Sequence, residues 1–170
     1  MRPVNFSLAG ALAGSLLVFG SVAMAAPAAS APNPSAKDQR VAANLLKDIR
    51  MDARTIDTHA RRIVAMSGDK TTKWHAFDKQ WNEIKPSEED MQLKLDRLQP
   101  MRASLSPAEQ KEFDAVSPLY NGVAVNTHDV RAALNPPAGG IEWAALRQRS
   151  RALAKDSMEL GEAVTPAKMS

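Results

Sequence analysis

The clearest pattern in this chain is the spacing of large apolar residues between Trp74 and Leu105. They recur at steps of three, four and seven, at Trp74, Phe77, Trp81, Ile84, Met91, Leu95, Leu98 and Leu105. Such steps return to one face of an α-helix, which has about 3.6 residues per turn. The stretch therefore predicts a long helix that buries a single stripe, as the helices of a bundle do.

Three further segments, residues 36–67, 106–134 and 141–164, carry the same spacing and predict three more helices. The predicted buried stripes are Leu46, Ile49, Ala53, Ile56, Ala60 and Ile63 in the first, Phe113, Val116, Tyr120, Val123, Thr127, Val130 and Leu134 in the second, and Trp143, Leu146, Ser150, Leu153, Ser157, Leu160 and Val164 in the third. Four helices with one apolar stripe each predict an all-α four-helix bundle.

Local signals mark where these helices begin and end. Ser35 is placed to cap the first helix and Gly68 to end it. Residues 106–109 (SPAE) form a capping box with proline at the first helical position, and residues 135–140 (NPPAGG) form a turn. Because short turns make neighbouring helices run in opposite directions, we predict an antiparallel up-down-up-down topology.

Helix two is predicted to start near Asp69 and to contain Pro86. A proline inside a helix lacks an N–H donor and crowds the preceding turn. The apolar stripe keeps its phase across it, since Ile84 and Met91 are seven residues apart. We therefore predict a continuous helix kinked near Pro86. The alternative is a break with a new helix starting at Ser87.

Composition agrees with helices and narrows the possible chemistry. Of the 170 residues, 44% are apolar and only 5% aromatic, and Ala, Leu and long charged residues favour helix over strand. The absence of cysteine excludes disulfides, thiolate metal sites and covalently attached haem. The net charge is +3 with both signs interspersed, so we expect a solvated surface and no nucleic-acid partner.

The first 25 residues have the organisation of a secretory signal peptide. Arg2 is a short basic start, residues 8–22 are uncharged and largely apolar, and residues 23–25 (AMA) suit a signal peptidase. An uncleaved membrane anchor is the alternative, because the apolar run is nearly long enough to span a bilayer. We expect a periplasmic or secreted protein with no membrane insertion after the leader is cleaved.

The remaining chain divides into three parts. Residues 26–35 predict a flexible linker rich in Pro and Ala. The bundle occupies residues 36–164, and residues 165–170 form a tail. A chain of this length is expected to hold one domain.

Polar residues on or beside the buried stripes are the candidates for a binding site. Counting from the turns places Asp52, Glu88, Tyr120 and Ser157 at one height, as a candidate polar pocket. A second polar layer contains His59, Thr127 and Ser150. Asp52 with Glu88 would suit a cation, and Glu88 with Tyr120 a polar ligand. In the structural alternative, the serine and threonine hydroxyls bond to carbonyls of their own helix, the Tyr120 hydroxyl is in water and Glu88 points outward.

Other chemistry has less support in the chain. His75 and His128 lie one residue off their stripes and are expected to be mostly exposed, and haem held by His59 or His128 with Met66 is an alternative without a supporting motif. We predict no metal and no cofactor. No Ser-His-Asp, HExxH or phosphate-loop motif is present, so we do not expect an enzyme.

Helix four is locally basic, with Arg147, Arg149, Arg151 and Lys155 close together. These side chains project to several faces and are followed by acidic residues. A solvated surface is the expected interpretation, and an anionic partner or membrane surface is the alternative.

Residues 105–113 (LSPAEQKEF) are similar to the LTxxQ-type helix starts of small periplasmic chaperones of the Spy and CpxP kind, with Glu109 where that motif has glutamine. A leader followed by four such helices, with Trp74-His75 early in the second, also resembles uncharacterised secreted helical-bundle proteins of bacteria. The first resemblance implies a chaperone-like role; the second implies a fold and a location but no activity.

Together these patterns predict an exported cell-envelope protein with a binding or interaction role. A groove or an exposed apolar patch would be the binding surface, and one version is a chaperone-like protein that holds unfolded clients. The alternative is a carrier of a small ligand, metal or haem that uses the polar layers. The partner is expected to be a protein or a small molecule, and no pattern in the chain specifies an oligomeric state.

Overall fold

Four α-helices dominate the part of the chain that the computed structural model describes, which comprises residues 35–69, 71–135 and 140–164. The helices are α1 (Ala36–Met66), α2 (Trp74–Leu98), α3 (Pro107–Leu134) and α4 (Trp143–Ala163). A short 3-10 helix, Gln99–Ser104, follows α2. These ranges contain no strand, so the predicted all-α fold class is confirmed.

Four predicted segments lie wholly or mostly outside the described residues. They are the signal peptide at residues 1–25, the linker at residues 26–35 except for Ser35, the turn at residues 135–140 except for its first and last residue, and the tail at residues 165–170. These assignments stay predictions. Among the helices that are described, none has the length and apolar character needed to cross a bilayer.

The predicted helix caps are present. The Ser35 hydroxyl accepts a hydrogen bond from the backbone N–H of Asp38 at 3.1 Å, in the first turn of α1. At the start of α3, the Ser106 hydroxyl accepts from the Glu109 N–H at 3.3 Å, and the Glu109 carboxylate accepts from the Ser106 N–H at 2.9 Å. Both caps satisfy N–H groups that the helix itself leaves unpaired.

The bounds of the second helix differ from the prediction at both ends. α2 begins at Trp74 rather than near Asp69, because the Asp69 side chain accepts hydrogen bonds from the backbone and hydroxyl of Thr71 and holds a turn there. The α-helix ends at Leu98 rather than continuing to Leu105. Pro100, the second residue of the following segment, lacks the backbone N–H that an α-helical hydrogen bond needs. The chain therefore continues beyond Leu98 as a 3-10 helix.

Pro86 lies inside α2, which is one helix from Trp74 to Leu98. The alternative of a break restarting at Ser87 is therefore wrong. The Ser87 hydroxyl donates to the carbonyl of Glu83 at 3.0 Å, one turn earlier, and so bonds back to the helix beside the proline.

The buried stripes meet in one core. α1 packs extensively on α2 and on α4, and α3 packs on α4, whereas α2 and α3 contact each other much less. The four helices therefore form a ring in the order α2, α1, α4, α3. The largest fully buried side chains are Phe77, Leu46, Ile49, Ile56, Ile63, Ile84, Met91, Leu98, Leu146, Leu153, Leu160 and Val116.

Two predicted core residues are exposed, and a third, Tyr120, is half-buried. Trp74 is 40% exposed and Trp143 is 37% exposed, whereas Phe77 and Trp81 are buried as predicted. Each exposed tryptophan is the first residue of its helix, at an end of the bundle where no further turn of a neighbour covers it. Trp143 still packs on Phe77, with ring centroids 5.4 Å apart.

Small residues meet where α1 contacts α4. Ala53 on α1 is fully buried, and Gly161 on α4 is buried. A Cβ atom added at Gly161 would lie 3.7 Å from the Cβ of Ala53. The two helices therefore approach each other closely at this point, because no large side chain separates them.

Candidate binding site

The predicted polar pocket is only partly assembled. The Tyr120 hydroxyl on α3 donates a hydrogen bond of 2.6 Å to Oε1 of Glu88 on α2. Asp52 on α1 instead accepts a hydrogen bond of 2.5 Å from Nζ of Lys94, also on α2. Ser157 is fully buried, and its hydroxyl has no hydrogen-bond partner. The structure thus joins Glu88 with Tyr120 and ties Asp52 to a lysine that the sequence had not suggested.

Burial and charge shift the ionisation of two of these groups. Burial raises the pKa of the Tyr120 hydroxyl, and the adjacent Glu88 carboxylate raises it further. Burial likewise raises the pKa of Asp52, while its hydrogen bond and ion pair with Lys94 act in the opposite direction. Tyr120 is therefore a hydrogen-bond donor at neutral pH, and Glu88 is its acceptor.

The second predicted layer also divides into separate contacts. His59 Nδ1 on α1 lies 2.8 Å from Oε1 of Gln80, a buried residue on α2. Thr127 and Ser150 are buried, and neither hydroxyl has a hydrogen-bond partner. The predicted alternative, a hydroxyl bonded to its own helix, is therefore not found at Thr127 or Ser150.

Metal-ligand geometry is not found in the described part of the chain. Residues 35–69, 71–135 and 140–164 contain no group of three or more histidines and carboxylates arranged to hold a metal ion. His75 and His128 are exposed, as predicted.

A polar pocket of about 300 Å³ lies between α2 and α3. It includes Tyr120 and is otherwise lined by Gln92, Leu95, Asp96, Gln99, Phe113, Ser117 and Asn121. Amide, hydroxyl and carboxylate groups make up most of this lining, so the pocket offers hydrogen bonds rather than apolar contact. It lies next to the Tyr120–Glu88 pair because Tyr120 belongs to both.

A second depression, the α1/α4 groove, lies between the other pair of helices. It has a volume of about 450 Å³ and is lined by Arg61, Val64, Ala65, Arg151, Ala154, Lys155 and Met158. Apolar side chains form its floor and three cationic side chains form its rim. The sequence showed the basic residues of helix four, but not that two of them share a groove with α1.

The rim of the α1/α4 groove holds three cationic groups, and two of them are paired with carboxylates of their own helix. Arg61 pairs with Asp57 at 2.6 Å, one turn earlier on α1, and Lys155 lies 3.6 Å from Glu159. Arg61 also reaches across the groove, where its Nη2 donates to Sδ of Met158 at 3.5 Å. Arg151 makes no ion pair or hydrogen bond within the described residues. Met158 is 39% exposed, so the groove also presents apolar surface to solvent.

Charge is distributed unequally over the bundle. α1 and α4 together carry eleven Lys and Arg against seven Asp and Glu, a formal net charge of +4. α2 and α3 carry six Lys and Arg against ten Asp and Glu, a formal net charge of −4. The interspersed charges of the sequence therefore resolve into a basic side and an acidic side once the helices are placed in the ring.

No protein-family model, no curated protein and no solved structure matches this chain. The likeness to chaperones of the Spy and CpxP kind therefore stays a prediction. Functional interpretation rests on the geometry and charge of the two depressions.

Proposed function

We propose that this protein is an exported cell-envelope binding protein whose binding surface is the α1/α4 groove. Its partner would be an amphipathic segment of another protein that carries carboxylates beside apolar side chains. The observation that carries the proposal is the combination of an apolar floor with a rim of Arg61, Arg151 and Lys155.

The chemistry of the groove supports an acidic amphipathic partner. Apolar side chains of the partner would be removed from water against Val64 and Met158, which contributes about 25 cal/mol per Å² of buried apolar surface. Carboxylates would meet the rim cations, which contribute more to association rate and specificity than to affinity. A groove of this size buries little area, so binding should be weak and rapidly reversible, which suits a chaperone-like holder of unfolded clients.

We also propose the antiparallel up-down-up-down order, with α2 kinked near Pro86. Cross-helix contacts support it. Between α1 and α4, Arg147 donates to the carbonyl of Ser67, whereas Gly161 faces Ala53, so one helix ascends as the other descends. The missing N–H of Pro86 supports the kink. This order brings the second half of α1 beside the first half and middle of α4, where the rim cations lie.

The proposed location in the periplasm or outside the cell depends on the signal peptide. Its test is expression of the full chain in a bacterium, followed by fractionation and intact-mass measurement. A protein in the periplasmic fraction that begins near residue 26 is expected. A protein that keeps residues 1–25 and stays with the membrane would support the anchor instead.

Peptide titration tests the groove directly. A fluorescent acidic amphipathic peptide should bind, whereas a peptide with the same apolar residues and Lys in place of Glu should not. Arg151→Glu should weaken binding of the acidic peptide several-fold, because it reverses an unpaired rim charge. Lys79→Glu on the exposed surface of α2 makes the same change in net charge and should leave binding unchanged. Equal binding of both peptides would overturn the proposal.

A client assay tests the chaperone-like version. The protein should slow the aggregation of an unrelated unfolded substrate, and Arg151→Glu should reduce that activity in parallel with its loss of peptide binding. Slowed aggregation that Arg151→Glu does not change would place the client-binding surface elsewhere on the bundle.

A carrier of a small polar ligand is the second candidate function. The pocket beside Tyr120 favours it, because hydrogen-bonding groups converge there. Absorption spectra and metal analysis of the purified protein test the haem and metal versions, and a polar-ligand screen compared between the wild type and Ser117→Leu tests the rest. A ligand displaced by that substitution would support this candidate.

A further inference from the structure

The outer surface of α2 carries an acidic ridge with an exposed leucine at its centre. Leu93 is 61% exposed, more than most large apolar side chains in the described residues. Glu89 and Asp90 lie four and three residues before Leu93, and Asp96 lies three residues after it. All three carboxylates are exposed. Since positions three and four apart are neighbours on a helix, these carboxylates occupy three of the four positions around Leu93, and Arg97 occupies the fourth. We define the acidic ridge as Leu93 and these three carboxylates.

Nearby cations offset most of the negative charge of the ridge, and because Lys94 is shared with Asp52, four carboxylates stand against three cations. Lys94 is directed to Asp52 on α1 at 2.5 Å and lies 3.8 Å from Asp90, while Lys85 lies 3.5 Å from Glu89. Arg97 is the further cation on this face, one turn beyond Leu93. The wider side of the bundle formed by α2 and α3 has a formal net charge of −4.

The acidic ridge and the α1/α4 groove are complementary in chemistry. The ridge presents an apolar side chain flanked by three carboxylates, and the groove presents an apolar floor between Arg61 on one helix and Arg151 and Lys155 on the other. We propose that the occupant of the groove is the acidic ridge of a second copy of this chain, with Leu93 inserted toward Met158. This inference rests on the groove proposed above as the binding surface.

The positions of the two surfaces determine the form of the assembly. The groove belongs to α1 and α4, and the ridge belongs to α2, so the contact joins different surfaces of the two copies. Such a heterologous contact leaves a free groove at one end and a free ridge at the other. Association therefore extends to chains or closes into rings. A groove occupied by a second copy is closed to an acidic client, so client and self-association compete.

Sedimentation velocity of the purified protein tests this inference. We expect the average mass to rise with protein concentration. The rise should be smaller at high salt, because salt screens the attraction between the ridge carboxylates and the groove cations. Arg151→Glu disables the groove and Leu93→Ser disables the ridge, and both positions are exposed, so the fold should be retained. Each variant alone should stay monomeric. Lys79→Glu is the matched charge control and should associate like the wild type.

A mixture of the two variants gives the decisive result. The Arg151→Glu chain keeps an intact ridge and the Leu93→Ser chain keeps an intact groove, so the mixture should form a species of two chains and nothing larger. A mixture that stays monomeric, or variants that associate like the wild type, would overturn the inference. If the wild type is monomeric but binds the acidic peptide, self-docking is wrong and the proposed function stands. If it neither associates nor binds that peptide, both are wrong.

Discussion

The contact between α1 and α4 and the contact between α2 and α3 lie on opposite sides of the ring and are built differently. α1 and α4 pack extensively, with Ala53 and Gly161 in the contact. α2 and α3 meet less and are joined by the bond from Tyr120 to Glu88. The depression on the first side has an apolar floor, and that on the second side is polar.

Side-chain size explains this difference. Alanine and glycine let two helix backbones approach, and the long side chains at the margin then form the walls of a shallow groove. Between α2 and α3, an aromatic ring with a polar hydroxyl occupies the contact, and a pocket with hydrogen-bonding groups remains beside it. One side is stabilised by close packing and the other by a specific polar bond. The predictions below separate these two sources of stability.

The largest effect is expected from enlarging a small residue in the α1/α4 contact. Ala53→Leu should lower the free energy of unfolding by about 3 kcal/mol, because overpacking a filled core forces the helices apart. Ala132→Leu makes the same substitution at an exposed position of α3 and should change it little. Urea denaturation followed by circular dichroism gives both values. Equal effects of the two substitutions would mean that α1 and α4 do not pack closely.

Removing the polar bond between α2 and α3 should have a smaller effect. Tyr120→Phe should lower the free energy of unfolding by about 1–2 kcal/mol, since it deletes a hydrogen bond to a carboxylate in a partly buried site. Glu88→Gln keeps an acceptor oxygen for the hydroxyl and should have a smaller effect. If Tyr120→Phe leaves the urea midpoint unchanged, the bond does not stabilise the α2/α3 contact.

Two glycine substitutions are expected to differ by about 1 kcal/mol. Gly161→Ala should stabilise by about that amount, because alanine favours helix and its Cβ would meet Ala53 at an ordinary contact distance of 3.7 Å. At Gly122, an added Cβ would lie 2.7 Å from Oδ2 of Asp156, the atom that accepts a hydrogen bond from Asn126. Gly122→Ala should therefore raise the free energy of unfolding little or not at all in the same denaturation measurement. If Gly122→Ala stabilised the protein more than Gly161→Ala, the packing described for Gly161 would be wrong.

Tyr120 also reports its own burial through its titration. The chain contains a single tyrosine, so tyrosinate absorbance near 295 nm reports Tyr120 alone. Because burial and Glu88 raise its pKa above the ordinary value of about 10, tyrosinate should form at higher pH in the folded protein than in urea. Its contribution to stability is present below pH about 10 and is lost as pH rises through the folded-state pKa. Glu88→Gln should reduce the shift, and identical titrations of folded and unfolded protein would contradict the burial of this hydroxyl.

The cap at Ser106 and Glu109 was predictable because all its atoms belong to one turn of chain. The buried stripes were predictable for a similar reason, since each helix repeats its own orientation every three to four residues. The exposure of Trp143 was not predictable in this way. Its spacing fits the stripe, but its position at the end of the bundle leaves it without a covering neighbour.

Polar partners were the least predictable feature. Counting residues from the turns placed Asp52, Glu88, Tyr120 and Ser157 at one height. The structure joins Glu88 with Tyr120 but gives Asp52 to Lys94. Height along a bundle does not specify which face a side chain takes, because successive residues differ by about 100° around the helix axis. A small rotation of a helix therefore exchanges one polar partner for another without changing the apolar stripe.

The order of residues along the chain was thus enough to specify helices, their caps and the face that each one buries, because these depend on neighbours within a turn or two. Packing between helices settled the remainder: which pairs come close, where a groove opens and which carboxylate meets which hydroxyl or lysine. Those outcomes depend on the sizes of side chains on different helices that touch only when all four are assembled. The basic side and the acidic side of the bundle likewise arise only when the four helices are assembled, although the two signs of charge are mixed along the chain.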